Sequence, residues 1–272
     1  MATLPLLGAA LDRASLPNHI DWLREAPRDL ELQHFVDAEV LDGDWSGLAA
    51  EVNGLLDGHQ GRRGIHGPFW GFTISSYDPE VRRVVARRMD QALDVCAAVS
   101  GTHVVIHSPF TTWGYNHRGL YPTDTDRVLS ATRDTLGAAL KRAEDMGVTF
   151  VLENIEDVEP SDRAMLCEAL GWQALELSVD TGHAHYAHVS TGAPPVDFYI
   201  RAAGSRLGHV HLQDADGFAD RHWQIGHGTI LWQSVFSAIA QAGANPRLIL
   251  ELRNKAGVLP SAHYLKSLGI AE

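Results

Sequence analysis

The sequence predicts an α/β fold, a single (β/α)8 barrel spanning residues 1–272. Three observations carry that reading. Eight short apolar runs alternate with longer segments of helical period, in β-then-α order, which points to a parallel sheet. The length of 272 residues fits the roughly 250 that such a barrel needs. The third to eighth runs each end in or beside a His, Asp or Glu, and a barrel mouth places its chemistry at strand ends.

Taken in order, the first strand is read over residues 4–10, with a helix from about Pro17. The second covers residues 29–34 and precedes a helix over residues 45–56. The third ends at His66. Residues 79–100 then place Val81, Val84, Val85, Met89, Ala92, Leu93, Cys96 and Val99 on one helical stripe. The fourth strand spans residues 103–107, before a helix over 126–146. The fifth spans 149–153, before a helix over 161–170. The sixth spans 175–180, with a helix from about Val196. The seventh spans 207–212, before a helix over 231–242. The eighth spans 247–251, with a short helix from Pro260. Right-handed crossovers let eight such units close.

The turn Asp12-Arg13-Ala14-Ser15 lacks a glycine-rich phosphate fingerprint, which counts against a dinucleotide-binding open sheet. Longer loops are expected over residues 108–123, 181–195 and 213–228, on one rim.

A chain that is 45% hydrophobic and 21% charged has the composition of an ordinary globular protein and can bury its own core. Cys96 and Cys167 both fall on amphipathic helices, so buried free thiols in a reducing cytoplasm are expected. The start Met1-Ala2-Thr3-Leu4-Pro5 has no basic region or long apolar stretch, and no run approaches 18 apolar residues. No signal peptide and no membrane span are therefore expected. With 22 Lys and Arg against 34 Asp and Glu, the net charge is −12. That charge disfavours nucleic acid and anionic membranes and favours a small-molecule substrate with a cation.

The strand-end residues are His66, His107, Glu153, Asp180, His211 and Glu251, with His183, Asp220 and His222 in following loops. Strand period two puts Val105 with His107, Val151 with Glu153, Ser178 with Asp180, His209 with His211, and Ile249 with Glu251 on one face each. If those faces point inward, the last residues converge over the barrel axis. Carboxylates gathered so closely repel unless a divalent cation lies between them. Mixed imidazole and carboxylate donors suit Zn, Mn, Fe or Co better than Ca. His209, one layer below His211, reads as a buried packed imidazole.

Six segments resemble the xylose isomerase-like TIM barrels, also called the AP endonuclease family 2 superfamily. They are His66-Gly67-Pro68-Phe69, Leu152-Glu153-Asn154, Val179-Asp180-Thr181-Gly182-His183-Ala184, His209-Val210-His211-Leu212-Gln213-Asp214, the stretch from Asp220 to Gly228, and Leu250-Glu251. In the sugar isomerase and epimerase branch, the resemblance implies one Mn, Co or Fe ion on Glu153, Asp180, His211 and Glu251. Glu153 and Glu251 would double as the catalytic acid/base pair, through a metal-stabilised enediolate, with His183 on substrate oxygens.

In endonuclease IV-like members, three zinc ions share nine ligands. Those fall here on His66, His107, Glu153, Asp180, His183, His211, Asp220, His222 and Glu251. That alternative is a phosphodiesterase acting on abasic DNA or a small phosphodiester. Net charge and the short segment 213–219, free of Lys and Arg, favour the sugar branch. The substrate-facing set is read as His183, His66, His107, Trp113 and Arg221, with Trp70 and Trp223 as further stacking candidates. The sequence does not fix the oligomeric state; related barrels often pair, so the resemblance leaves a homo-oligomer open.

Overall fold

The computed structural model describes residues 4–120 and 124–272. Met1–Thr3, part of the expectation that no signal peptide is present, and residues 121–123 of the loop expected after strand four lie outside them. Eight parallel strands pair in chain order and close into a barrel. They are β1 (Gly8–Leu11), β2 (Leu30–Leu32), β3 (Arg63–His66), β4 (His103–His107), β5 (Thr149–Glu153), β6 (Leu175–Asp180), β7 (Leu207–Leu212) and β8 (Arg247–Leu250). Around them run α1 (Leu16–Arg24), α2 (Ala38–Asp42), α3 (Ser46–Leu55), α4 (Pro79–Ala98), α5 (Thr112–Asn116), α6 (Asp124–Met146), α7 (Ser161–Leu170), α8 (Thr181–Thr191), α9 (Val196–Ala203), α10 (Trp232–Gln241) and α11 (Val258–Ser267).

The strand sequences explain both layers. β4 and β5 are rich in β-branched and aromatic residues, which suit a pleated surface. Val104, Ile106, Phe150 and Leu152 join the apolar layer beneath the helices. The alternate positions His107 and Glu153, in register across the pair, face the interior. On α4, Asp78 accepts a hydrogen bond from the Glu80 N–H at 2.8 Å and Pro79 opens the helix, a good N-terminus. Its buried stripe holds Val85, Met89, Ala92, Leu93 and Cys96. Val84, read onto that stripe, is 43% exposed.

Three local expectations change. The first strand begins at Gly8 rather than residue 4, because the Leu7 N–H pairs with the Glu272 carbonyl instead of a neighbouring strand. Gly8 itself is required: a Cβ there would lie 2.0 Å from the Asp29 carbonyl oxygen. Residues 181–195, expected as a loop, contain α8. Asp180 accepts from the His183 N–H at 2.7 Å, and Gly192 ends the helix with φ 77°. Its buried face is Thr181, Gly182, Ala184 and Ala187, too small to print an apolar period on the sequence. The loop after β4 likewise holds the short α5.

Cys96 and Cys167 are free and buried, and burial pushes their thiols up to about 12 and about 11. Among the described residues, no helix is long and apolar enough to cross a membrane.

Candidate metal centre

The barrel mouth gathers nine of the singled-out residues into three groups. His66, His107 and Glu153 form one, Glu153, Asp180, His211 and Glu251 a second, and His183, Asp220 and His222 a third. Within each, the candidate ligand atoms lie within 4.8 Å of one another. Glu153 belongs to two groups. Its Oε1 is 2.7 Å from His211 Nδ1, while its Oε2 is 3.6 Å from His107 Nε2 and 3.8 Å from His66 Nε2. That Oε2 is buried without a hydrogen-bond partner. An orphaned carboxylate oxygen facing two imidazoles fits a cation, because an unpaired buried charge is costly.

Secondary structure sets these positions. His107, Glu153 and Asp180 are the last residues of β4, β5 and β6, and Glu251 follows β8 directly. Asp180 also caps α8, so one carboxylate both starts a helix and faces the group. The Gln213 side-chain amide donates to Asp180 Oδ1 at 3.2 Å and Asp220 Oδ1 at 3.1 Å, and its oxygen accepts from the His222 N–H at 2.8 Å. Gly182 leaves room for it: a Cβ there would lie 2.2 Å from the Gln213 side chain. His222 adopts φ 49°, the left-handed region that non-glycine residues rarely enter.

Three imidazoles are oriented alike. Nδ1 of His66, His183 and His222 lies 2.8, 2.9 and 3.0 Å from the carbonyls of Gly67, Asn154 and Glu251. A carbonyl only accepts, so each Nδ1 carries the proton and Nε2 is left as the ligating atom. His211 is reversed. Its Nδ1 faces Glu153 and Glu251, the latter at 3.3 Å, and its Nε2 lies 3.0 Å from Glu31 on β2.

The electrostatics follow from crowding. At an effective dielectric of 20, two unit charges 4 Å apart interact by about 4 kcal/mol. A few unrelieved carboxylate pairs would therefore rival a domain's net stability of about 5–15 kcal/mol. Burial opposes charge on Glu153, yet His211, His107 and His183 outweigh it and hold the carboxyl far below its usual range. Burial raises Asp180 to about 6 despite His183, and lowers His107 to about 3 despite Glu153. Burial also works against charge on His183, His211 and His222. Asp180 and Asp220 nevertheless raise His183 well above its usual value, and Glu251, Glu31 and Glu153 do so for His211. A hydrogen bond donated to Asp220 and the Glu251 and Asp180 charges raise His222 to about 9. Protons on these rings balance the carboxylates, and a divalent cation can take their place.

A cleft of about 310 Å³ opens over the groups, walled by seven of their side chains, all but the fully buried Asp180 and His211, with Trp70, Gln33, Arg253 and Lys255. A groove of about 750 Å³ adjoins it, sharing Asp220, His222 and Arg253 and adding Arg221 and Trp223. Arg221 lies beside the site rather than in it: it pairs with Asp216 at 2.8 Å and sits over the Trp223 ring. Trp113 departs from its reading as a substrate residue. The turn capped by Thr111 directs it onto His117, with ring centroids 3.9 Å apart, in a separate cavity, where it is 72% exposed.

Four residues beside the site escape strand-end reasoning. Gln33 donates to Glu251 Oε1 at 2.6 Å, and Lys255 donates to Gln33 Oε1 at 2.8 Å. Arg253 lines both cavities, and Glu31 lies beneath. Glu31 sits between two leucines in a three-residue strand, and Gln33 follows that strand directly.

A closed barrel with clustered imidazoles and carboxylates at its C-terminal mouth defines a (β/α)8 protein with a candidate metal centre. The chain belongs to the xylose isomerase-like TIM barrel family, whose pattern matches residues 29–268. It is similar to the TTHB071 protein from Thermus thermophilus, in a structure soaked with ZnCl2. The TM-score is 0.73 and the identity 25%, over 96% of this chain and 97% of that one. A D-tagatose 3-epimerase-like protein shares the fold with TM-score 0.75 and 20% identity, over 97% and 98% of the two chains. A D-psicose 3-epimerase of Ruminiclostridium cellulolyticum is 24% identical over 194 residues, 68% of this chain and 61% of its own length.

Proposed function

We propose that the protein is a metal-dependent sugar isomerase or epimerase acting on a small sugar, sugar phosphate or polyol ketone. The observation that carries this reading is the four-residue group in which Glu153 and Glu251 join Asp180 and His211, while both glutamates also line the cleft. Similarity to proteins named as sugar epimerases supports it. A bound Mn, Co or Fe ion supplies Lewis-acid polarisation of a substrate oxygen.

The two glutamates do the proton work. One carboxylate takes the proton from the carbon beside the carbonyl, and the other delivers a proton to form the product. Gln33 holds Glu251 by its amide, which fixes where that carboxylate points. His183, 13% exposed on its side chain, presents Nε2 to a substrate oxygen. Trp70 offers a flat apolar wall to a ring.

Incubating the Mn-loaded protein with ketopentoses, ketohexoses and their phosphates in D2O tests the reading. Product with deuterium at the reacting carbon is expected. Product that stays unlabelled contradicts the glutamate roles, and no conversion of any substrate contradicts the reaction class.

A second reading, a zinc phosphodiesterase, is favoured by one specific observation. The two outer triads flank the central group and would provide ligands for three ions in all. Metal stoichiometry separates the two.

A further inference from the structure

We propose that Glu31 is a positioning residue that selects the ligating nitrogen of His211. Its carboxylate accepts the hydrogen bond of the Nε2 N–H and leaves Nδ1 to face the cation. The inference rests on the metal-dependent reading of the mouth, and it concerns a residue outside all three ligand groups just described.

Glu31 is the middle residue of β2 and is fully buried. Its Oε2 and Oε1 lie 3.0 and 3.2 Å from His211 Nε2. An ionised carboxylate only accepts, so without a metal both ring nitrogens donate, Nδ1 to Glu153 Oε1 at 2.7 Å and Nε2 to Glu31. Glu251 Oε2 also lies 3.3 Å from Nδ1. A cation held among Glu153, Glu251 and Nδ1 would displace the Nδ1 proton, and Glu31 would keep the proton on Nε2.

The other rings at the mouth are held differently. His66, His183 and His222 are held by neutral backbone carbonyls on Nδ1 and present Nε2. His211 alone among these four is held by a carboxylate and presents Nδ1. An anionic partner fixes the tautomer and also raises the ring's basicity as a ligand.

Packing does not explain Glu31. Interior barrel layers are usually filled with Val, Ile and Leu, and an aliphatic residue in place of a buried charge is often neutral or stabilising. Two other rings, His103 and His209, lie near it, and the three residues could also hold an ion. His209 Nε2 lies 3.2 Å from Oε2 without hydrogen-bond alignment, and His103 Nε2 is 4.0 Å away with neither ring nitrogen partnered.

The test is titration of full-length protein, Glu31→Gln and Glu31→Leu with Mn2+ and Co2+, with absorption spectra of the Co2+ forms. Metal affinity is expected to fall about 10–100-fold in Glu31→Gln and further in Glu31→Leu. The Co2+ bands should shift, and the metal-free thermal midpoints should stay close to that of the unsubstituted protein. Affinity within twofold and unchanged bands in both variants overturn the role of Glu31 and leave the metal reading intact. An unsubstituted protein that binds neither ion overturns both. Should the variants not fold, 15N-histidine spectra of the metal-loaded unsubstituted protein decide. A protonated Nε2 with a metal-shifted Nδ1 is expected for His211, and the reverse pattern contradicts the proposal.

Discussion

Two layers inside the barrel carry imidazoles and carboxylates, and most rings of the upper layer differ from those of the lower; His107 at the mouth is lowered to about 3 by burial, like the rings below. At the mouth, His183, His211 and His222 are raised above the ordinary histidine value, because several carboxylates face them and outweigh burial. One layer down, His103 and His209 are lowered, because burial dominates and Arg247 and the neighbouring rings add positive charge. The mouth layer lines a cleft, whereas Glu31, His103, Ser178 and His209 below are sealed from solvent. The same residue types therefore serve two purposes. Above, carboxylates and raised imidazoles face an open cleft; below, lowered rings and one carboxylate lie sealed beneath them.

The largest expected effect breaks the upper layer. Glu153→Gln removes the charge shared by two ligand groups and one of the proposed proton-transfer groups. Turnover should fall about 10²–10⁴-fold, read as initial rates at saturating metal. A variant within threefold of the unsubstituted protein contradicts the role of Glu153.

A smaller effect tests the sign difference at the mouth. For His222 the folded value is about 9, above the usual value near 6.5. Its stabilising contribution is complete below about 6.5 and is lost as pH rises through about 9. Metal-free protein should therefore lose stability over that window, on the order of 2 kcal/mol. Bound cation displaces these protons, so metal affinity should rise over the same window. Denaturant melts with and without Mn2+ at several pH values measure both trends, and parallel curves would count against the charge balance.

The smallest effect belongs to the lower layer. His103 is lowered, so its sign is reversed: its contribution is present above about pH 6.5 and lost as pH falls below that value. Its two unpartnered ring nitrogens each carry a burial cost. His103→Leu should raise stability by about 1 kcal/mol at neutral pH and flatten the acid side of the profile. Gly64 makes room for that ring, since a Cβ there would lie 2.1 Å from it. A variant that unfolds more easily and loses metal would show that His103 supports the site.

The same division explains what the sequence made legible. Strands were readable because apolar runs bracketed by helical segments are a strong periodic signal. The residues gathered at the mouth were readable because a charged residue ending an apolar strand stands out, as in Val-Leu-Glu153 and Ser-Val-Asp180. Glu31 was not, because it sits between two leucines in a three-residue strand, where nothing marks its direction. Helix α8 was hidden because its buried face is Thr, Gly and Ala. Trp113 lies in a separate cavity, because nearness in sequence to His107 does not set which way a capped turn sends a side chain.

Every role proposed for the mouth of this barrel depends on a cation being held there. Elemental analysis of protein purified without a chelating tag, with Glu153→Ala alongside, reads that out. One tightly held Mn, Co or Fe ion per chain is expected, lost in the variant; a count near three zinc ions would move the reading to the phosphodiesterase. A folded protein that retains no ion, even after incubation with excess Mn2+, Co2+ or Zn2+, would overturn the metal centre and both reactions with it.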